Sequence, residues 1–350
     1  MPNIEHIYWF AHYNLNCPST RYRGLKPLEH ASKQFGITYH FITPDRSLKG
    51  VLSFLRVFLS VLLFRKKNSL IAVQKVCSNG LYAKALKFLI SVRNQNTLYD
   101  IDDAEYLRQG VDSLHFFLEK CESIQVGSKA LQDYCLAFNQ NVRIATSPVH
   151  DHGIVKKQKN PTIHIGWVGD FGNGQDVSKS FSHKKSLYDL YFPFIKQISF
   201  PIKLFIIGVK NQADIPEIRS YFKSHPNIEL IIPQDLDWTN DDWLFDIIKK
   251  FDIGISPLVP HPFNEAKSAF KAKQYLSCGV PTIASDVGEN QHFISDGRNG
   301  FLCDTSDEFL KAVNQIANAN PTEYQSLMTH SIESTVQFSL SEYCSILLAN

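Results

Sequence analysis

Two lysines four residues apart, Lys267 and Lys271, open the stretch KSAFKAKQYLSCGVP, which continues into TIASDVGENQHFISDGRNGFLC. The spacing predicts a helix over 268–277 with both ammonium groups on one face at its start. The helix should end at Cys278-Gly279, followed by a short apolar strand and a loop bearing Gly288. Helix, Gly-Val-Pro, strand and glycine loop, in that order, deliver cations and free backbone amides to the carboxyl edge of a parallel sheet. Such an edge suits a phosphorylated ligand, because helix N-terminal amides and the helix dipole both favour negative charge. An isolated KxxxK, by contrast, is more often two solvated lysines on an amphipathic helix.

Three other stretches carry chemistry. In NCPSTRYRGLKPLEHA (16–31), Arg21 and Arg23 sit at an expected helix start, with Ser19 or Thr20 as N-cap, after the first strand. Cations there would face an anionic ligand, although capping and surface pairing account for most Arg-x-Arg pairs. IGWVGDFGN (165–173) places Gly166, Gly169 and Gly172 near a strand end, a weak phosphate signal by itself. Lys184 and Lys185 follow it as candidate phosphate contacts, with surface lysines as the plainer reading. LYDIDDAEY (98–106) clusters Asp100, Asp102 and Asp103, oxygen ligands of the kind that suit magnesium or manganese, but at the end of a strand. The thirteen histidines form no ligand spacing such as HExxH and read as structural or surface residues.

Short apolar runs alternate with helical patterns along the whole chain. Strands are expected at 4–10, 37–42, 69–74, 97–101, 123–126 and 142–145, with helices at 21–35, 51–64, 81–93 and 129–138. A polar basic stretch, 155–161, breaks the pattern and reads as a linker. The alternation then restarts, with strands at 162–168, 202–207, 228–231, 253–256, 282–284 and 301–303. Helices fit 185–197, 215–223, 241–250, 268–277 and 306–319, and the tail from Glu323 is helical by pattern. Strand–helix alternation means α/β, with parallel sheets covered by helices on both faces.

The chain has 350 residues, enough for two domains with separate cores. A net charge of +2 argues against a nucleic-acid partner, and Arg65-Lys66-Lys67 and Lys156-Lys157 read as solvated patches. Seven scattered cysteines without CxxC spacing read as buried or free thiols of a reducing cytosol, with neither disulfide frame nor zinc site. The first residues read as a strand rather than a signal peptide. Residues 51–64, VLSFLRVFLSVLLF, fall short of the roughly 20 apolar residues a spanning helix needs. Ser53, Arg56 and Ser60 draw one narrow polar stripe, which predicts a mostly buried helix packed on a sheet. The alternative is a monotopic membrane contact with Arg65-Lys66-Lys67 at the headgroups.

The segment from Phe251 to about Phe301 resembles the nucleotide-sugar-binding segment of GT-B glycosyltransferases of group 1, the family 4-like class. KSAFKAKQYLSCGVPTIAS is similar to that family's KSxxKxxEYxxxGVPVIAS pattern, and PSTRYR, YDIDDA and IGWVG are similar to other family segments. The resemblance implies two Rossmann-like parallel-sheet domains facing a cleft: 1–155 on the acceptor side, 156–322 binding the donor, and a tail over 323–350 crossing back. It implies transfer of a sugar from a nucleoside diphosphate sugar to a hydroxyl, with retention, no cofactor and no essential metal. Bacterial surface polysaccharide or lipopolysaccharide assembly is the implied setting, with a carbohydrate or lipid-linked carbohydrate acceptor. The implied location is the cytoplasm, with a peripheral contact at the inner face of the membrane as its variant.

By the same comparison Lys267, Lys271, Ser268, Gly169, Arg21 and Arg23 would hold the diphosphate and Gln274 the nucleoside. Asn264, Glu265 and Gly288 would face the donor sugar, and Asp102, Asp103 and Lys271 would serve catalysis. The chain departs from the pattern at Gln274, where the family carries a ribose-binding glutamate, and at Ala266, where a second glutamate is common. Glu289 also stands where a second glycine is common. Gln274 keeps one rival open, a catalytically silent homologue that binds a nucleotide sugar or partner; the second rival is a non-hydrolysing sugar-nucleotide epimerase of the same fold.

Overall fold

A computed structural model describes residues 4–107, 111–150, 152–153, 158–172 and 180–349. Residues 155–157 of the expected linker, with Lys156 and Lys157, and Asn173 of the glycine segment lie outside the described residues. The chain divides into two compact units. The first comprises Met1–Pro148, Ala266–Ser268 and Phe338–Asn350; the second comprises Val149–Glu265 and Ala269–Gln337.

In the first unit six strands form one parallel sheet: β1 (His6–Ala11), β2 (Thr38–Ile42), β3 (Ser69–Gln74), β4 (Thr97–Ile101), β5 (Ser123–Val126) and β6 (Val142–Ile144). Their order is β2-β1-β3-β4-β5-β6, with His6 opposite Thr38 on one side and Ser69 on the other. Helices α1 (Lys26–Phe35), α2 (Leu48–Phe64), α3 (Leu81–Val92), α4 (Asp112–Lys120) and α5 (Lys129–Cys135) make the crossovers. β1, β3 and β4 are buried at every position, as expected of strands covered on both faces. Helix α4 was not expected from sequence, yet its buried Leu114, Phe117 and Leu118 follow helical spacing.

Helix α2 corrects the expectation of a mostly buried helix. Val57, Phe58 and Val61 are its buried residues, while Val51, Leu52, Leu55, Leu59, Leu63 and Phe64 are exposed. The helix carries two apolar stripes, and the sheet covers one of them. No helix among the described residues is long and apolar enough to cross a membrane.

The second unit repeats the plan with β7 (Ile163–Val168), β8 (Ile202–Ile207), β9 (Ile228–Ile231), β10 (Ile253–Ser256), β11 (Thr282–Ser285) and β12 (Gly300–Cys303), in the order β12-β11-β10-β7-β8-β9. Its helices are α6 (His183–Ser186), α7 (Phe192–Ile195), α8 (Asp214–Phe222), α9 (Asp241–Ile248), α10 (Pro262–Glu265), α11 (Phe270–Leu276), α12 (Asn290–Phe293), α13 (Ser306–Asn318) and α14 (Pro321–Glu333). α13 and α14 both start with reciprocal capping boxes, Thr305 with Glu308 and Asn320 with Glu323. Trp167, Tyr191, Phe192, Phe194, Phe309 and Tyr324 fill the core between sheet and helices. The last helix, α15 (Leu340–Leu348), belongs to the first unit, where Tyr343, Cys344 and Leu347 pack with Leu28 and Ala31 of α1.

At the β1–β2 pairing His6 lies edge-on to Tyr8, with its Nδ1 2.5 Å from Thr38 Oγ1. Burial first, then the charges of Lys66 and His40, push its pKa down to about 4 from 6.5. His40 is lowered too, by burial, Lys66 and Arg56. Both rings therefore stay neutral in the fold at pH values where the unfolded chain takes up protons. Stability is fully present above about pH 6.5 and is lost as pH falls towards 4. Melting temperature measured across that window should fall, and His6→Phe should remove part of the slope.

Candidate functional site

In the first unit β1 lies between β2 and β3, so the chain leaves the carboxyl ends of β1 and β3 in opposite directions and opens a crevice there. Lys75, just past β3, adopts a left-handed backbone (φ 53°) and is buried. Its Nζ lies 3.1 Å from Asp102 Oδ1 and 3.5 Å from Glu105 Oε1, and pairs with Asp103 as well. Burial works against that ammonium, but Asp102, Asp103 and Glu105 outweigh it and raise the Lys75 pKa well above the ordinary value. Ser19, expected as a cap, instead donates from Oγ to Asp102 Oδ2 at 2.5 Å. Among the described residues no three His, Cys, Asp or Glu side chains form a group that could hold a metal. Asp102, Asp103 and Glu105 surround an ammonium of the chain itself. Asp103 is the more open of the two candidate acids, with 24 % of its side chain accessible against 9 % for Asp102.

Arg23 requires a correction. Its guanidinium is fully buried and grips Asp100, Nη2 to Oδ1 at 2.5 Å and Nε to Oδ2 at 3.0 Å, while Nη1 donates to the Ala145 carbonyl at 2.6 Å. Burial opposes the charge, and Asp100 more than restores it. A side chain so committed braces the sheet edge and does not face a ligand. Arg21 is buried as well and donates from Nη1 to the Leu15 carbonyl at 2.5 Å. Ser268 joins this edge, its Oγ 3.2 Å from Ser147 Oγ, and Ser128 Oγ donates to the Ala266 carbonyl at 2.8 Å.

The expected lysine pair on one helix does not form. Ala269 takes a left-handed backbone (φ 51°) and α11 starts at Phe270, so Lys271 is on the helix while Lys267 precedes it. In the second unit the strand order reverses at β7, flanked by β8 and β10, and Lys271 lies at that point. A Cβ on Gly169 would come within 2.7 Å of Lys271 Cε and 2.8 Å of Trp167, so the missing side chain is what lets the lysine pass over the strand end. Lys271 Nζ lies 2.9 Å from His183 Nε2 at the start of α6. An ammonium can only donate, so the ring nitrogen accepts. Tyr275 anchors the same helix, its OH accepting from Val168 N at 2.9 Å. Gly166 makes room for Phe251, which removes it from the phosphate candidates.

Glu265 and Gly288 come together: the Glu265 carboxylate accepts from the Gly288 amide at 2.8 Å. Gly288 has φ 56° and would meet the Glu265 carbonyl at 2.5 Å with any side chain. Asn264 is buried, donates to the Val259 carbonyl at 2.8 Å, and leaves Oδ1 buried without a hydrogen-bond partner. Asn290 Oδ1 is in the same state. Gln274 is buried within α11 beside Lys273, which lies 5.0 Å from the Phe293 ring centre. Lys184 is paired with Asp214 at 2.8 Å and Glu217 at 3.0 Å in a buried position, and Lys185 with Asp189 at 2.5 Å on the surface. Sequence reasoning passed over His183, Lys75 and Asn290, and gave Ser19 only as a cap. His183 alone left a signal, by opening a helix shortly after the glycine segment.

Residues 182–319 match the family described as glycosyl transferases group 1. This stretch is a group 1 glycosyltransferase domain. The transferase domain thus holds His183, Asn264, Glu265, Lys271, Gln274 and Gly288 together. The whole chain is similar in fold to solved structures. Anabaena Alr3699/HepE in complex with UDP has a TM-score of 0.61 at 12 % identity, covering 98 % of both chains. A Rickettsia africae glycosyltransferase has 0.68 at 9 % identity, covering 99 % of this chain and 97 % of that one. The lipopolysaccharide outer core galactosyltransferase WaaB, in its apo form, has 0.65 at 13 % identity, covering 98 % of both. Two parallel six-stranded sheets make the fold GT-B. No curated protein sequence matches the chain.

Removing one partner of a buried ion pair strands the other. Arg23→Met should therefore cost about 3–5 kcal/mol of stability in a urea titration. If the loss stayed below about 1 kcal/mol, Arg23 would not be the brace described.

Proposed function

We propose that the chain moves a sugar from a nucleoside diphosphate sugar to a hydroxyl of a carbohydrate or lipid-linked carbohydrate. The anomeric configuration is retained, and no metal or cofactor takes part beyond the co-substrate. The carrying observation is Lys271 held across Gly169 by His183, inside the transferase domain, at the strand reversal. Diphosphate charge grows as the sugar departs, and a fixed cation at that edge stabilises the transition state more than the ground state. His183 orients the ammonium. Gln274 serves the nucleoside.

On the donor-sugar side Glu265 sets the loop at Gly288, and the Asn264 carbonyl oxygen is an acceptor in want of a hydroxyl donor. In the first unit Asp103 and Asp102 are the acids available to an acceptor hydroxyl, with Lys75 holding them in place. Lys75 also occupies the centre of the acidic cluster, which supports metal-independent transfer. HepE binds UDP and WaaB acts in lipopolysaccharide synthesis. Those two proteins support a UDP-type donor and work in bacterial surface polysaccharide or lipopolysaccharide assembly. A binding-only reading draws on one observation, the neutral Gln274 in the helix.

Lys271→Ala should lower turnover about a hundredfold, on the order of 3 kcal/mol in the barrier, with an unchanged melting temperature without ligand. Release of nucleoside diphosphate measures it, and near wild-type turnover would remove Lys271 from the site. Nucleotide sugars that raise the melting temperature but are neither transferred nor hydrolysed would favour the binding-only reading. Activity should also survive excess chelator while Asp103→Asn impairs it; loss with chelator and rescue by manganese would reverse the metal assignment.

A further inference from the structure

We propose that the outer face of α2 and α3 is a docking surface for an anionic phospholipid bilayer. The two helices lie side by side in the first unit, with Phe54 packed on Tyr82 at 5.1 Å and Arg93 donating to the Leu62 carbonyl at 2.6 Å. Beyond the stripe that meets the sheet, Leu48, Leu52, Leu55, Leu59 and Leu63 recur at three- and four-residue steps and are exposed, Leu48 at 76 %. Phe64 ends the helix at 78 % exposed, and α3 adds Leu81 at 86 %, Phe88 and Val92. Single exposed apolar residues are ordinary on a soluble surface, but two adjacent helices that both turn leucines and phenylalanines outward mark an interaction site.

Charge decides the occupant. From Arg46 to Tyr99 the chain has ten Lys and Arg and no Asp or Glu, although the protein as a whole is nearly balanced. Lys75 is consumed in the acidic cluster; of the other nine, Lys49 and Arg56 lie on α2 itself and Lys84 and Lys87 on α3. Arg65 donates to the carbonyls of Ser69 and Gln95, neutral acceptors that leave its charge in place. Carboxylates border the segment: Asp45 is bonded to Ser47, Glu122 accepts from Asn96 N, and Asp112 accepts from Asn79, which in turn accepts from Lys87. A second copy of the chain would set these cations against their own kind, so self-association through this face is opposed by its own charge. A bilayer with anionic headgroups satisfies both halves of the surface, accepting the leucines among its acyl chains and the lysines among its phosphates. The helix lies in the interface plane, because it is too short and too charged to span.

Flotation of the full chain with vesicles tests this. Phosphatidylcholine vesicles containing phosphatidylglycerol should carry the protein up the gradient, pure phosphatidylcholine vesicles should carry much less, and high salt should release it. Leu55→Glu with Leu59→Glu should cut partition onto the mixed vesicles about a hundredfold while leaving the melting temperature and its rise with nucleotide unchanged. Exchange of Lys49 and Arg56 for Gln should lower binding and flatten its salt dependence. Protein that stays in solution with both vesicle types at low salt overturns the proposal, as does light scattering that shows a dimer split by the leucine variant. Neither readout needs sugar transfer, so failure here is distinguishable from failure of the transferase reading.

Discussion

Arg23 and Asp100 are both wholly buried, and the carboxyl edge of the first sheet is organised around keeping that pair satisfied. Two charges withdrawn from water are tolerated only where each remaining donor and acceptor also finds a partner. Here the partners come from distant parts of the chain. Gln125 of β5 donates to Asp100 Oδ1 at 3.1 Å and to Tyr343 OH at 2.6 Å, and Tyr343 OH donates to the Arg23 carbonyl at 2.8 Å. Ala145, past β6, takes another guanidinium N–H. The pair thus ties the helical turn after β1 to β4, β5, β6 and α15. It also fixes the backbone from which Asp102 and Ser19 project.

The second unit solves the same positioning problem with neutral contacts. Tyr275 reaches from α11 to the backbone of β7, and a Cβ on Gly254 would meet its ring at 2.5 Å. The helix therefore sits close against the sheet, and Lys271 emerges over Gly169 with little freedom. Catalysis by charge stabilisation depends on such preorganisation, because a lysine that must be drawn into place at each turnover loses part of its effect.

All twelve strands among the described residues were legible, because parallel strands buried on both faces appear as short apolar runs whatever their function. The strand orders, and with them the switch points, did not follow from the alternation alone. Individual side chains were less readable. Arg23 has the same spacing from Arg21 that a ligand-binding pair would have, and its true partner lies 77 residues away. Lys267 leaves the helix because Ala269 adopts a left-handed backbone, a conformation an alanine does not advertise. The apolar pattern of α2 gave the helix and its end at Phe64, but missed its start at Leu48 and could not say which of its two stripes the sheet would take. Lys75 owes its role to a positive φ and three carboxylates contributed after the next strand.

A chain with a formal charge of +2 would ordinarily be expected to ignore an electric field, yet its charge is not evenly spread along the sequence. With ten cations and no anions in 46–99, the other residues together are net negative by eight. The first unit therefore has its positive charge concentrated in the segment whose helices turn leucines outward. Near any negatively charged plane it experiences a torque before it experiences contact, within the screening distance of about 8 Å at physiological salt. It should arrive already facing the right way, and it should adhere to a cation exchanger far more firmly than its isoelectric point suggests.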